Sequence, residues 1–242
     1  WYAKSSGTTN DKSKFLPVTP EILKGCHYKG GFDCVAIYLR NNPESRFFSK
    51  KGLILGGSHS PSPLNSEAHQ GGLSAVLLQN LNPLVNLIRV PKKPIILMDE
   101  WESKIKAIVE NTWNKDVNSL SGVPSWMLVL IKAVLKKTGR EYLTDVWPNL
   151  EVFFHGGISF EPYREQYKTL IPSNKMHYME TYNASEGFFG LQDDPTDSSL
   201  LMMPDYGIFY EFIPMNEVGN AHPTVLPLES VETGKNLSLI HI

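Results

Sequence analysis

The chain has 242 residues, of which 41% are hydrophobic and 20% are charged, and its formal net charge is −2. This is an ordinary globular composition with enough apolar residues for a sizeable core. The balanced charge offers no basic surface for a nucleic-acid backbone, and no apolar stretch of the sequence has the length of a membrane span.

In the first half of the chain, helical and strand patterns alternate. A short buried strand over residues 2–5 leads into a run of Ser, Gly and Thr. Thr19 followed by proline predicts a helix from there to about residue 40, within which the glycines indicate either a break or a close packing partner. The remaining predicted elements are a strand over 52–55, a loop over 56–63, a helix over 72–81 and a helix over 96–113.

The second half continues the alternation. A turn over residues 121–125 precedes an apolar helix over 126–137, which Gly139 is placed to end. Strands are predicted over 152–155, 177–181 and 208–213, with a short helix over 163–170. The pattern predicts an α/β fold with mixed, largely parallel sheets flanked by helices, in which ligands bind at the carboxyl ends of strands.

The cysteine pattern predicts a cytoplasmic protein with reduced thiols. Cys26 and Cys34 fall on one predicted helix, where their separation along the axis is roughly 12 Å, which is too far for a disulfide bond. The start of the chain shows no signal-peptide pattern. Because the sequence opens on Trp1 and closes on an apolar run, we expect it to be a piece of a longer protein.

Three segments that follow predicted strands have the composition of a nucleotide site. The first contains Ser5, Ser6, Gly7, Thr8 and Thr9, with Lys14 close behind, and it offers hydroxyl and amide groups to phosphates. The second is Gly156-Gly157, whose bare backbone allows a flat base to approach. The third offers an aromatic face at Tyr182, then Asn183, the Ser185 hydroxyl, and the Glu186 carboxylate for Mg²⁺.

Each of these segments also has a plain structural interpretation. The first and second are compatible with surface turns, Tyr182 with a core position, and Glu186 with a solvated acid. It is their joint occurrence at strand ends that favours an ATP site. Other chemistries lack their motifs in this sequence: no Walker-type P-loop, no G-x-G-x-x-G, no H-E-x-x-H, no paired C-x-x-C and no nucleophile elbow is present.

In order, the motifs SSGTT followed by Lys14, SGVPSWM, FHGG, YNASEG and FYEFIP resemble those of the Gretchen-Hagen auxin-responsive family of acyl-acid amido synthetases. That family belongs to the acyl-adenylate-forming superfamily, and this chain resembles its bacterial branch over nearly the whole length. The resemblance implies an ATP-dependent ligase that adenylates a carboxylic acid and passes the acyl group to an amino acid amine. Its partners would be those two small molecules, without nucleic acid or membrane, and its cofactors ATP and Mg²⁺.

The resemblance also assigns roles to residues. Residues 5–9 would hold phosphates, Tyr182 would stack on adenine, and Ser185 and Glu186 would serve phosphate and Mg²⁺. Because such catalysis is positioning and charge stabilisation, no covalent catalytic residue is expected. For the acyl group, nearness to the motifs suggests Trp126, Phe154 and Phe188, which are equally compatible with plain core aromatics.

Two departures from the family pattern shape the domain prediction. The first motif continues with Asn10 rather than Gly and Pro before its lysine, and no aromatic-Arg-x-Gly-Asp motif follows near residue 236. We therefore expect residues 1–236 to be a partial N-terminal adenylation domain, 237–242 an atypical tail, and the small C-terminal domain to be absent. Such a piece should be inactive alone. The alternatives are an acyl-CoA ligase, another adenylate-forming enzyme and a non-catalytic nucleotide-binding homologue.

Overall fold

Fourteen strands are assigned within the part of the chain that the computed structural model describes, namely residues 1–4, 15–61 and 69–240. In chain order they are β1 (Tyr2–Lys4), β2 (Phe15–Pro17), β3 (Lys51–Leu55), β4 (His59–Pro61), β5 (His69–Gly71), β6 (Arg89–Val90), β7 (Val117–Gly122), β8 (Val152–Gly156), β9 (His177–Ala184), β10 (Gly187–Leu191), β11 (Leu201–Met202), β12 (Glu211–Pro214), β13 (Leu226–Pro227) and β14 (Leu237–Ile240).

The strands form one large and two small sheets. The large sheet has seven strands in the order β11-β10-β9-β8-β7-β3-β6. Strands β6, β3, β7, β8 and β9 are parallel to their neighbours, whereas β10 and β11 are antiparallel at one side. The small sheets have the orders β2-β1-β5-β4 and β13-β12-β14. The predicted mixed, largely parallel α/β fold is therefore confirmed.

Helices cover both faces of the large sheet. They are α1 (Pro20–Ile22), α2 (Lys29–Asn41), α3 (Leu73–Asn80), α4 (Lys93–Ile96), α5 (Trp101–Thr112), α6 (Pro124–Thr138) and α7 (Arg164–Leu170), with a π-helical turn at Leu23–Tyr28 that joins α1 to α2. On one face, α5, α6 and α7 pack on side chains such as Leu120 and Phe153. On the other face, Tyr38 of α2 packs on Val152 and Met179.

Helix α6 follows its sequence signals closely. It begins with Pro124 in its first turn, where the missing N–H costs nothing. Its buried side includes Met127, Ile131 and Val134, whose spacing matches the helical period. It ends at Gly139, which has a φ of +64°. The sequence prediction of this helix and of its end is confirmed.

Replacing Gly139 by alanine should lower the free energy of unfolding by about 1 kcal/mol, because an L-residue with a Cβ disfavours the left-handed region. No heavy atom lies within 4 Å of the position that the Cβ would occupy, so the cost is conformational rather than steric. Urea unfolding of the variant measures it. Gly139→Asn is the matched control and should cost less, because asparagine tolerates this region; equal losses in both variants would contradict the explanation.

Several predicted boundaries are wrong. The helix predicted over 96–113 begins only at Trp101, as α5, because the Glu100 carboxylate accepts the N–H groups of Glu102 and Ser103 at its start, and α4 already ends at Ile96. The turn predicted over 121–125 is the end of β7 and the start of α6. The strand predicted over 208–213 covers only Glu211–Pro214.

The segment predicted to be an atypical tail contains β14, which pairs antiparallel with β12 from Leu237 opposite Pro214 to Ile240 opposite Glu211. That residues 237–242 are not the native continuation of the domain stays a prediction. Over the described residues, none of the helices combines the length and the apolar character needed to cross a membrane.

Candidate functional site

The candidate site lies at the edge of the large sheet where β3, β7, β8 and β9 end. The backbone register pairs Leu55 with Gly122, Gly122 with His155, and Gly156 with Thr181. Because these strands are parallel, their carboxyl ends and the loops that follow them meet at one edge. The register therefore brings the Gly156-Gly157 pair beside the segment that begins with Tyr182.

Gly156 is packed so tightly against β9 that no side chain fits. A Cβ atom there would lie 2.3 Å from the Thr181 carbonyl oxygen and 2.8 Å from Thr181 Oγ1. The Thr181 hydroxyl donates a hydrogen bond to the His155 carbonyl oxygen at 3.1 Å. Gly157 has a φ of +84° and is exposed. Gly156 thus allows β8 and β9 to approach closely, and Gly157 leaves exposed main chain that a ligand can reach.

The YNASEG segment is a hairpin, where the sequence predicted a strand ending at residue 181 and then a loop. Strand β9 continues through Ala184, and β10 begins at Gly187, so Ser185 and Glu186 form a two-residue turn. Asn183 pairs with Phe188 across the hairpin. The polar residues were misleading, because alternating polar side chains are compatible with a strand that has one accessible face.

Tyr182 lies near Glu186 in this hairpin region. The Tyr182 side chain is 41% exposed, and its ring lies 5.0 Å from that of Phe189. Partial burial raises the pKa of the Tyr182 phenol, and the nearby Glu186 carboxylate raises it further. The phenol therefore stays protonated at neutral pH, and the ring offers a face on which a base can stack.

Asn183 is held from behind by a buried histidine. Its Oδ1 lies 3.1 Å from Nδ1 of His27, which belongs to the π-helical turn. The Asn183 side chain thus contacts the π-helical turn, and its role in binding ATP stays a prediction.

The three aromatic residues predicted for the acyl group are not in one pocket. Phe154 packs edge-on against Tyr38 at 5.7 Å, on the α2 face of the sheet. Phe188 is buried in a cluster that Phe154 also touches. Trp126 lies on α6, which covers the opposite face, and packs edge-on against Trp101 at 5.6 Å. Their role toward an acyl group stays a prediction.

Ser5, Ser6, Gly7, Thr8, Thr9 and Lys14, predicted to bind phosphates, lie outside the described residues. Strand β1, which leads into this segment, forms as predicted and pairs in parallel with β5. Among the described residues, no group of three or more His, Cys, Asp or Glu side chains could hold a metal ion.

His155 is the histidine of the FHGG motif, and the sequence predicted no role for it. Its side chain is 2% exposed, and its ring stacks on Phe160 at 4.2 Å. Neither ring nitrogen has a hydrogen-bond partner in the described part of the chain. Burial lowers the pKa of His155 to about 3, and the Arg164 cation adds to that effect. The imidazole directly before the glycine pair is therefore neutral at physiological pH.

The burial of Lys104 was not predicted either, because a lysine in an amphipathic helix usually lies on the exposed face. The side chain is nearly inaccessible, and its Nζ donates a hydrogen bond to the Gly56 carbonyl oxygen at 2.6 Å. Burial lowers the pKa of Lys104 to about 8, against the opposing effect of Asp99. A buried amine thus lies at the carboxyl end of β3, on the edge that carries the candidate site.

Comparison with solved structures shows the same fold in acyl acid amido synthetases. The AtGH3.15 acyl acid amido synthetase in complex with 2,4-DB has 15% identity and a TM-score of 0.75, with 98% of this chain and 50% of that chain covered. A second structure, the GH3.15 acyl acid amido synthetase, has 17% identity and a TM-score of 0.68, with 98% and 49% covered. The chain therefore spans about half the length of the structures it matches.

The family is established by a sequence model rather than by these distant structures. A search of curated protein sequences gave no significant match. The model of the GH3 family N-terminal domain, however, matches residues 1–176, which is most of the chain. Among the described elements, the match covers β1 through β8 and α1 through α7, including the Gly156-Gly157 end of β8. The chain thus belongs to the GH3 family, and its residues 1–176 match that family's N-terminal domain.

Proposed function

We propose that this chain carries the acid-activating site of an ATP-dependent acyl acid amido synthetase. The observation that supports this most directly is the register of β8 and β9, which pairs Gly156 with Thr181 and so brings Gly157 beside Tyr182. In this proposal a flat base would lie against the bare main chain at Gly157 and the exposed aromatic face of Tyr182. These two features were predicted separately from the sequence, and the fold makes them neighbours.

The hairpin turn suits the phosphate side of the same nucleotide. Glu186 is a half-buried carboxylate at the turn, next to the Ser185 hydroxyl. This fits Mg²⁺, which commonly binds one or two carboxylates and completes its shell with phosphate oxygens and water. When bound, the ion would neutralise charge on the phosphates. We further propose that residues 5–9 and Lys14 also hold the phosphates.

The reaction needs positioning rather than a protein nucleophile. A substrate carboxylate oxygen bonds to the α-phosphorus of ATP while the bond to the β-phosphate oxygen breaks and pyrophosphate leaves. An amino acid amine then attacks the acyl carbon, AMP leaves with the mixed-anhydride oxygen, and the amide nitrogen loses a proton to solvent. The residues at this edge would align the phosphate chain with the acid and stabilise developing charge.

The free, buried thiols of Cys26 and Cys34 support our placement of the protein in the reducing cytoplasm.

The acceptor distinguishes this proposal from its main alternative, an acyl-CoA ligase, because the adenylation half is shared. The acceptor test uses the protein that contains this chain. Amide formation with amino acids, without thioester formation from coenzyme A, would support the amido synthetase. The opposite result would assign the chain to the ligase class, and pyrophosphate exchange with neither acceptor product would favour another adenylating enzyme.

Glu186→Gln should weaken Mg·ATP binding by about tenfold or more, because the variant loses a charge-assisted interaction worth about 1.5–3 kcal/mol. Binding of ATP without Mg²⁺ should change little. Calorimetric titration with and without Mg²⁺ measures both affinities, and Glu165→Gln on exposed α7 is the matched control. Unchanged Mg·ATP affinity in the Glu186 variant would favour the alternative of a non-catalytic homologue.

A further inference from the structure

The π-helical turn Leu23–Tyr28 lies against the hairpin that carries the candidate site. Ile22, Cys26, Gly30 and Cys34 recur every four residues and face Phe188 or its cluster. An α-helix has 3.6 residues per turn, so a four-residue repeat would drift around its surface. A π-helical turn takes more residues and removes part of that drift. The irregular turn therefore keeps this side of the helix on the hairpin.

Two polar contacts join the π-helical turn to the hairpin. The Phe188 N–H donates a hydrogen bond to Cys26 Sγ at 3.1 Å, and His27 Nδ1 lies 3.1 Å from Asn183 Oδ1. Asn183 and Phe188 are partners across the hairpin. The adjacent residues Cys26 and His27 thus hold the two strands at the same rung, which is one pair away from the Ala184–Gly187 pair that flanks the turn of Ser185 and Glu186.

The position of this rung is further restricted by packing. The Phe188 ring lies so close to the helix that a Cβ atom on Gly30 would be 2.4 Å from Phe188 Cγ. His27 is 3% exposed, so its ring has little room to move. Burial lowers the pKa of His27, against the opposing effect of the Asn183 hydrogen bond, and the ring is neutral. With Asn183 Oδ1 as acceptor, Nδ1 carries the proton.

We propose that Cys26 and His27 form a brace that sets the position of the hairpin turn, and that His27 is a positioning residue for Tyr182, Ser185 and Glu186. The nucleotide consequence of the brace rests on the proposed function. A two-residue turn at the end of a hairpin is anchored by few contacts of its own, whereas binding groups must be held to about 0.5 Å. The brace supplies the missing anchor from a segment more than 150 residues away in the chain.

Two substitutions distinguish the contributions of the two ring nitrogens of His27, Nδ1 and Nε2. Asparagine places an amide nitrogen near the position of Nδ1 and keeps a donor for Asn183, whereas glutamine places its amide near Nε2 and loses that donor. If Nδ1 provides the brace, His27→Asn should behave like the wild type and His27→Gln should not. Asn183→Ala removes the same contact from the hairpin side and serves if the glutamine variant does not fold.

The first measurement is amide hydrogen exchange of residues 184–188 in the unliganded chain, which does not depend on any assumed activity. Loss of one hydrogen bond of about 1 kcal/mol should speed exchange there by about fivefold in His27→Gln and leave it within about twofold in His27→Asn. Cys26→Ala should also speed exchange. Cys34→Ala is its matched control, because Cys34 is buried in the same cluster without a hydrogen bond to the hairpin among the described residues.

The second measurement is the KM for ATP and kcat of the protein that contains this chain. His27→Gln should raise the KM or lower kcat by about fivefold or more, with recovery in His27→Asn. Equal exchange in the asparagine and glutamine variants would overturn the brace. Faster exchange with unchanged ATP kinetics would leave the brace in place and overturn its link to the ATP site. Absence of ATP binding in the wild type would instead overturn the proposed function.

Discussion

The protein should lose free energy of unfolding when the pH drops from about 7.5 to about 5, and in the variant His155→Phe this loss should be smaller by about 2 kcal/mol. The pKa of the folded-state imidazole is lowered from 6.5 to about 3. Between these values the unfolded chain binds a proton on this residue and the folded protein does not. Stability therefore falls as the pH drops below about 6.5 and is unaffected by this residue above it.

Urea unfolding of both proteins at the two pH values measures this difference, and a constant offset caused by the larger ring cancels. His177→Phe is the matched control, because His177 is only half-buried and its lowered pKa is partly restored by Glu151. It should change the acid sensitivity less. Identical pH dependence in wild type and His155→Phe would contradict the explanation, because it would show that the His155 imidazole binds a proton as readily in the folded protein as in the unfolded chain.

Gly156→Ala is expected to lower the free energy of unfolding by about 2–3 kcal/mol, because the added methyl group overpacks a contact with main chain that cannot rotate away. The Cβ would lie 2.3 Å from the Thr181 carbonyl oxygen. Relief requires β8 and β9 to separate, which would also move the base-binding side of the proposed site. The variant should therefore bind ATP more weakly even where it is folded.

Chemical denaturation and ATP titration test both parts of this expectation. Gly31→Ala is the matched control: no heavy atom lies within 4 Å of its added Cβ, and it sits inside α2. That variant should gain about 0.5–1 kcal/mol from helix propensity. Adding Thr181→Ala to Gly156→Ala removes Thr181 Oγ1, which lies 2.8 Å from the added Cβ, and should not restore stability, because the closer contact is with the Thr181 carbonyl oxygen. Recovery in the double variant would show that the side chain was the obstacle.

Elements with a strong local pattern could be predicted from the sequence. The apolar run of β8 and the helical spacing of α6, with its proline start and glycine end, gave correct elements because local preference and burial agree there. Strand β7 was missed for the opposite reason. Asn118, Ser119 and Ser121 have low strand propensity, and only pairing with β3 and β8 on both sides makes the segment a strand.

The site was predicted in its parts but not in its geometry. The glycine pair and the YNASEG segment were identified by residue type, whereas their proximity depends on which strands are neighbours, and that is a property of the whole sheet. Support from a distance was harder still to foresee. His27 and Lys104 look like ordinary helix residues in the sequence, and their burial follows from contacts with segments far along the chain.

The strand order has a consequence for synthesis on the ribosome. Strand β3 lies between β6 and β7 in the sheet, but β7 follows β3 by about 60 residues in the chain. At about 5–20 residues per second, one edge of β3, with the apolar Leu53 and Leu55, waits about 3–12 s for its partner. During that interval the nascent chain carries an open strand edge able to pair with other chains. The same sheet order that assembles the candidate site late therefore also delays the closing of this strand edge during synthesis.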